Sequence, residues 1–192
     1  MTRLSGLLVL ATGLLAAASA APAIGATCDD VEFPDSVSID GRELVLNGLG
    51  LRKATFLNVK VYVAGLYLPQ KSTDAGQILG ADQDWQLALR FVRDVDASMR
   101  EAFEEGFEKT GADPAPLRER VDALTGMLID FEEGQTVGFT NDPANGVEVA
   151  VDGTAKGTVE GADFAAALLA IWLGPEPPNK GLKSGLLGGA CE

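Results

Sequence analysis

The order in which hydrophobic periodicity changes along the chain is the feature that most restricts its fold. A two-residue alternation over 43–68 and 85–95 indicates strands, because alternate side chains of a strand point to opposite faces. Helical spacing of apolar residues follows over 98–128, alternation returns over 135–160, and a last helical segment covers 164–173. Blocks of strands separated by blocks of helices are typical of an α+β domain. We therefore expect a large, mainly antiparallel sheet with helices packed on one of its faces.

Capping residues mark where the predicted helices begin. Ser98 followed by Glu101 is the sequence of a capping box, and Asp113-Pro114 places a proline in the first turn of a second helix. Asp163 is predicted to cap the last helix. The residues that recur at helical spacing in the first two helices are Met99, Phe103, Phe107, Thr110, Leu117, Val121, Leu124 and Leu128. Both helices should therefore turn an apolar face toward the sheet.

The first 26 residues have the build of a cleavable secretory signal. Arg3 precedes an uncharged run rich in leucine, alanine and glycine that ends among small residues. Its strongly apolar part is about a dozen residues long, shorter than the roughly 20 residues that a membrane-spanning helix needs. We expect residues 1–26 to be removed. Residues 27–192 should then form one domain in the periplasm or outside the cell, without stable insertion into a membrane.

Charge and the absence of histidine exclude several classes of function. The net charge of −13 opposes binding to nucleic acid and to anionic membrane surfaces. Without histidine the chain has neither a Ser-His-Asp triad nor a histidine-ligated metal. Its adjacent acidic pairs point in different directions on a helix or strand, so we expect neither a metal site nor a cofactor.

The two cysteines, Cys28 and Cys191, lie at opposite ends of the predicted mature chain. An exported protein meets an oxidising compartment, in which paired cysteines form disulfides. The sequence therefore predicts a disulfide between Cys28 and Cys191.

The strand over 43–52 carries two notable features near its end. Gly48 and Gly50 predict a bend in this strand, because neither a third glycine nor a helix follows as a nucleotide-binding loop requires. Arg52 ends this otherwise apolar strand and could face Tyr62 on the next one. An arginine and a phenol at the rim of an apolar cavity would bind a carboxylate or an enolate. An ordinary salt bridge at the sheet edge is the alternative interpretation of Arg52.

Four segments together resemble the chalcone isomerase-like family, in particular its exported bacterial members. The segments are GLGLR at 48–52, KVYVAGLYL at 60–68, FVRDV at 91–95, and the stretch 157–174 that ends in IWLG. The similarity covers most of residues 30–188. It implies an open-faced β-sandwich in which a large antiparallel sheet lies under a layer of helices.

The resemblance also implies where a catalytic site would lie. Chalcone isomerases close a flavanone ring with an arginine, a threonine near a tyrosine, an asparagine and a second hydroxyl residue. Arg52 matches the arginine, and Tyr62 falls at the threonine. Phe103 and Thr110 fall at the tyrosine and the asparagine, and Ile171 lies near the last hydroxyl residue. The weak catalytic candidates are thus Arg52, Tyr62 and Thr110, and most of the enzyme's donors are replaced.

An arginine and a tyrosine resemble the fatty-acid-binding branch of the same fold. There the pair holds the carboxylate and the apolar space between sheet and helices holds the chain. The resemblance therefore implies that Arg52 and Tyr62 bind an apolar carboxylate, with Phe103, Phe107 and Trp172 lining the cleft. The sequence predicts binding without catalysis.

Two alternatives remain open on the sequence. In the first, the chain is an isomerase or intramolecular lyase for an unsaturated substrate, and Tyr62, Tyr67 or Thr110 replaces the missing hydroxyl groups. In the second, the fold is an interaction module of the cell envelope without a ligand.

Overall fold

The computed structural model of the chain describes residues 25–55, 57–96, 98–112, 114–128 and 130–192. The predicted signal, apart from its last two residues, lies outside these ranges. So does Asp113, the predicted start of a helix, and the side chain of Ser98 in the predicted capping box is also not described. Among the helices that the structure does describe, none has the length and hydropathy of a transmembrane helix.

Antiparallel strands dominate the architecture. The strands are β1 (Ala26–Cys28), β2 (Val31–Phe33), β3 (Ser36–Ile39), β4 (Arg42–Ala54), β5 (Val59–Leu68), β6 (Trp85–Phe91), β7 (Thr136–Asp142), β8 (Gly146–Val151) and β9 (Thr154–Val159). β1 and β2 pair as a small hairpin, and the other seven form one sheet in chain order. Each neighbouring pair is antiparallel. This confirms the predicted large antiparallel sheet.

Strand β6 is shorter than the alternation over 85–95 predicts. The regular strand ends at Phe91, although the Val92 N–H still donates to the Val61 carbonyl at 3.0 Å and a bridge pairs Val95 with Phe131. The carboxylate of Asp94 accepts a hydrogen bond from the backbone N–H of Glu133 at 2.8 Å. Side-chain bonds of this kind compete with a regular backbone ladder, so the strand pattern of 92–95 is not realised as a strand.

The helices are α1 (Ala75–Gly80), α2 (Ser98–Glu108), α3 (Pro114–Met127), α4 (Ala162–Leu173) and α5 (Lys180–Leu186). Helices α2 and α3 confirm the predicted apolar stripes, whose members from Met99 to Phe107 and from Leu117 to Leu128 are buried. Thr110 lies beyond the end of α2. Helix α5 is not among the predicted helices, and its glycines lower helix propensity.

The start of α4 differs from the prediction that Asp163 caps it. Gly161 is the N-cap, with a φ of 113° that favours glycine. Asp163 lies in the first turn instead, where its carboxylate accepts hydrogen bonds from Arg120 at 2.7 and 2.6 Å. The ion pair thus ties α4 to α3.

We expect the Arg120–Asp163 pair to give folding stability a defined pH dependence. The Arg120 guanidinium lowers the pKa of Asp163 from 3.8 to about 2. Because the pKa is lower in the folded state, the pair stabilises the protein above pH ~4, and this contribution is lost as the pH falls toward ~2. The Asp163 side chain is 62% exposed and that of Arg120 is 26% exposed, so solvent screening should hold the effect to about 1 kcal/mol or less. Thermal unfolding at several pH values should show Asp163→Asn less stable than wild type at neutral pH and equal to it near pH 2.

Arg120→Met should cost at least as much at neutral pH, because the Arg120 guanidinium also donates to the carbonyl oxygens of Pro116 and Glu160. The double variant should lose less than the sum of the two single variants, because both remove the same ion pair. A difference between wild type and Asp163→Asn that persisted unchanged to pH 2 would contradict this assignment.

Two cores lie on opposite faces of the sheet. On one face, buried side chains of β5 and β6 such as Leu66 and Leu89 pack under the helices, and α4 is buried on nearly every side. On the other face, Phe33 of the β1–β2 hairpin packs with Leu49 and Val63. The structure therefore confirms the helical layer and adds a small β-hairpin beneath the sheet.

The two ends of the described part of the chain meet at this hairpin. Cys28 in β1 and Cys191 after α5 form the predicted disulfide, with a Cα–Cα distance of 6.0 Å. The C-terminal segment is thus fastened to the hairpin.

Glycines in β4 allow α5 to approach the sheet closely. A β-carbon added at Gly50 would overlap the carbonyl oxygen of Leu182, and one added at Gly48 would overlap that of Gly185. The pairing of β4 with β5 shifts register between Leu46 and Gly48. The structure thus shows a register shift beside these glycines, and both glycines let the backbone of α5 pack directly on β4.

Candidate functional site

A cavity of about 710 Å³ opens between one end of the sheet and the helical layer. Its walls come from the ends of β4 and β5, the loop that precedes α2, one face of α2 and the end of α4. The segment 176–178 after α4 completes the rim. The cavity therefore lies at the edge where β4 ends with Arg52 nearby and β5 begins with Tyr62 nearby.

Arg52 is placed at the cavity by β4. It stands directly opposite Tyr62 in the β4–β5 register, which typically brings Cβ atoms to within about 5.5 Å. Its Nη1 donates hydrogen bonds to the carbonyl oxygens of Lys53 and of Pro178, the latter at 3.2 Å. No carboxylate of the described residues lies within ion-pairing distance of this guanidinium. The salt-bridge interpretation thus has no partner there, and donors of the guanidinium remain for an anion.

Tyr62 supplies a second donor. Its side chain is buried at 5% exposure, and its hydroxyl oxygen accepts a hydrogen bond from Nε1 of Trp172 at 3.0 Å. An indole N–H only donates, so the phenol proton is not used in this bond. Burial raises the pKa of Tyr62, although the Trp172 bond and the charge of Arg52 oppose the shift. The phenol therefore stays protonated at neutral pH and lines the cavity as a hydrogen-bond donor.

The inner wall of the cavity is apolar and aromatic. Phe103 and Trp172 both line it, with ring centroids 5.8 Å apart in an edge-on arrangement. Met99 and Ile171 add aliphatic surface, and Gly106 leaves the Ile171 side chain room, since a β-carbon there would lie 2.9 Å from it. Such a wall accommodates a hydrocarbon chain and offers no polar partner to one.

Other predicted site residues lie elsewhere. Phe107 stacks on Phe164 with centroids 5.6 Å apart and is not among the described residues that line the cavity. The Thr110 hydroxyl donates to the carbonyl oxygen of Phe107 at 2.8 Å, at the end of α2. Tyr67 belongs to the opposite face of the sheet, where its hydroxyl donates to the Pro34 carbonyl at 3.1 Å. The structure therefore gathers Arg52, Tyr62, Phe103 and Trp172 and leaves these three residues outside the group.

Charged residues of the rim were missed by the sequence reasoning. Arg93 and Glu176 line the mouth, together with Glu105 and Lys109 of α2. The last two form an ion pair one helical turn apart, and its hydrogen bond lowers the pKa of Glu105. The sequence does contain a feature that could have predicted the 176–178 segment of the rim. Prolines 177 and 178 cannot continue α4 as a helix, so a non-helical segment must follow it.

Comparisons with known proteins agree with this architecture. Over 190 residues the chain is 25% identical to Fatty-acid-binding protein 1 of Arabidopsis thaliana, covering 83% of this chain and 67% of that protein. A crystal structure of a fatty-acid binding protein from the same plant superposes with a TM-score of 0.67 at 23% identity, over 82% of this chain and 92% of the other. The profile of the chalcone isomerase-like family matches residues 25–188. Because that match takes in the sheet, the helical layer and the cavity between them, the chain belongs to the chalcone isomerase-like family.

Proposed function

We propose that the protein is an exported carrier that binds a fatty acid or a similar apolar carboxylate without converting it. The observation that carries this proposal is the placing of two donors, the Arg52 guanidinium and the Tyr62 phenol, in one cavity with the apolar side chains of Met99, Phe103, Ile171 and Trp172. A carboxylate accepts strong, charge-assisted hydrogen bonds from both groups. The cavity volume of 710 Å³ falls within the usual range of ligand sites, roughly 300–1,000 Å³.

The energetics favour an acyl chain over a small polar acid. About a dozen buried methylene groups, at about 0.8 kcal/mol each, contribute roughly 10 kcal/mol before the costs of ordering the ligand. The two donors then fix the polar end. Affinity would come mainly from the apolar wall, and orientation from Arg52 and Tyr62.

Binding without turnover is supported by the side chains on the cavity wall. Phe103 and Ile171 line it at positions where the resemblance to chalcone isomerases implies hydroxyl groups. Loss of one donor to a developing oxyanion typically costs about 3 kcal/mol of transition-state stabilisation. Two such losses argue against an efficient isomerase.

Export is supported by the disulfide and by the composition of residues 1–26. A bond between Cys28 and Cys191 suits an oxidising compartment such as the periplasm or the extracellular space. The acyl ligand would then be bound outside the cytoplasm.

The test is to purify the exported protein without detergent and to identify extracted small molecules by mass spectrometry. We expect fatty acids in the extract. Arg52→Ala should weaken fatty-acid binding at least about tenfold, because a hydrogen bond to a charged group contributes about 1.5–3 kcal/mol. Arg90→Ala is the matched control, since Arg90 pairs with Val63 on the opposite face of the neighbouring strand and should keep wild-type affinity.

Because Arg52 also contacts the 178 carbonyl, Tyr62→Phe provides a second variant that leaves that contact in place. It should also weaken binding. Empty protein with no measurable fatty-acid affinity would contradict the carrier and favour the interaction module. Turnover of a chalcone above the spontaneous rate, reduced in both variants, would favour the isomerase.

A further inference from the structure

A second, polar cleft adjoins the apolar cavity at Arg52. It measures about 490 Å³ and shares Arg52, Thr55 and Pro178 with the first. The rest of its lining is mostly polar and includes Lys53, Asn179 and Glu192. A free fatty acid ends at its carboxylate and would leave this cleft unused.

The register of β4 brings two cations to the same cleft. Consecutive residues of a regular strand point to opposite faces, but the pairing with β5 shifts between Arg52 and Lys53. Irregularities of this kind re-aim side chains, and both residues line the polar cleft. The same shift lets the consecutive residues Val61 and Tyr62 both line the apolar cavity.

The side-chain amide of Asn179 holds the cleft in shape through two hydrogen bonds to the β4 backbone, and the Lys53 ammonium takes no part in them. The amide of Asn179 donates to the Leu51 carbonyl at 3.1 Å and accepts from the Lys53 N–H at 3.2 Å. No ion pair of the Lys53 ammonium occurs among the residues that the structure describes. Two cations, those of Arg52 and Lys53, line the cleft on a chain of net charge −13, and the acidic groups in the lining belong to Glu192 alone.

From this juxtaposition we infer that the preferred ligand is a single acyl chain joined by an ester or amide to a head group that carries an anionic group. The acyl chain occupies the apolar cavity, and the ester or amide carbonyl accepts hydrogen bonds from Tyr62 and Arg52. The anionic group of the head lies in the polar cleft beside Lys53. This inference rests on the proposed function, since it assigns the chain and the carbonyl to the same two donors.

Lysophospholipids and N-acyl amino acids share this chemistry, with a phosphate and a carboxylate, respectively, as the anionic group. The experiment measures equilibrium binding of palmitate, a monoacyl lysophosphatidylglycerol and an N-palmitoyl amino acid, each below its micelle concentration. We expect wild-type protein to bind at least one head-bearing ligand more tightly than palmitate, and the tighter of the two identifies the source.

Lys53→Ala should weaken binding of the head-bearing ligand about three- to tenfold and leave palmitate within twofold. The loss should shrink as ionic strength rises. Lys156→Ala, which removes an exposed lysine from β9, is the control and should change neither affinity.

The outcomes separate the two proposals. Palmitate bound as tightly as both head-bearing ligands, or an equal loss for all of them in Lys53→Ala, would overturn the inference and leave the fatty-acid carrier intact. Failure of all three ligands to bind the wild-type protein would overturn the carrier itself.

Discussion

The Cys28→Ser/Cys191→Ser double variant is expected to lose about 5 kcal/mol of unfolding free energy. The disulfide joins residues 163 positions apart, and closing a loop of that length removes about this much chain entropy from the unfolded state. Native domains of this size are commonly stable by only about 5–15 kcal/mol, so the variant should be close to unfolding at 37 °C. Urea unfolding followed by circular dichroism measures the loss.

The loss should begin at the two ends that the disulfide joins. An isolated two-stranded hairpin is marginal in water, and β1–β2 is anchored by Phe33 in the second core and by Cys28 itself. Hydrogen exchange in the double variant should therefore accelerate first in 25–33 and in 180–192. A reducing agent should destabilise wild type and leave the double variant unchanged. A loss below about 1 kcal/mol, or equal sensitivity of both proteins to the reductant, would contradict the prediction.

Periodicity in the sequence was sufficient to place the large elements and the layers. The stripe from Met99 to Phe107 indicates which face of α2 is buried, and the alternation in β5 separates Tyr62 from Val63 correctly. The disulfide could be predicted as well, because the two cysteines of a chain predicted to be exported leave one pairing. These features depend on the spacing of apolar residues or on the number of cysteines, and both can be read directly from the sequence.

The division of the α2 stripe between site and core could not be predicted. Phe103 and Phe107 share one face of the helix, but one helical turn, about 5.4 Å, separates them along its axis. Phe103 meets Trp172 near the end of α4, whereas Phe107 meets Phe164 near its start. Which of the two borders the cavity depends on where α4 crosses α2, and no local pattern gives that crossing.

The sequence also could not predict that Arg52 and Lys53 both line one cleft. Strict alternation assigns them to opposite faces, and only the register shift in β4–β5 pairing overrides it. The packing of α5 on β4 could not be predicted either, because it depends on contact between two backbones. Glycines in β4 and α5 make that backbone contact possible. They do not predict it, because glycines are equally typical of a bend.

Gly50→Ala is expected to lower the unfolding free energy by about 3 kcal/mol or more. The new methyl group would overlap the Leu182 carbonyl oxygen, a backbone atom that moves only if α5 moves. Helix α5 buries Leu182 and Leu186 completely, and each contributes about 1.5–3 kcal/mol by its burial. Displacing the helix would also shift Asn179 and the 178 carbonyl, which bond to β4 beside Arg52. Fatty-acid affinity should therefore fall together with stability.

Gly138→Ala is the matched control for Gly50→Ala. Gly138 lies in β7 of the same sheet, and a β-carbon there meets nothing within 4 Å. Because alanine also restricts the unfolded chain, this variant should stay within about 1 kcal/mol of wild type and keep its ligand affinity. Urea unfolding and fatty-acid binding should be measured on both variants. The two variants carry the same glycine-to-alanine change, and only the one at Gly50 lies under a helix. Equal stability of the two variants would mean that α5 does not rest on the β4 backbone as closely as the structure places it.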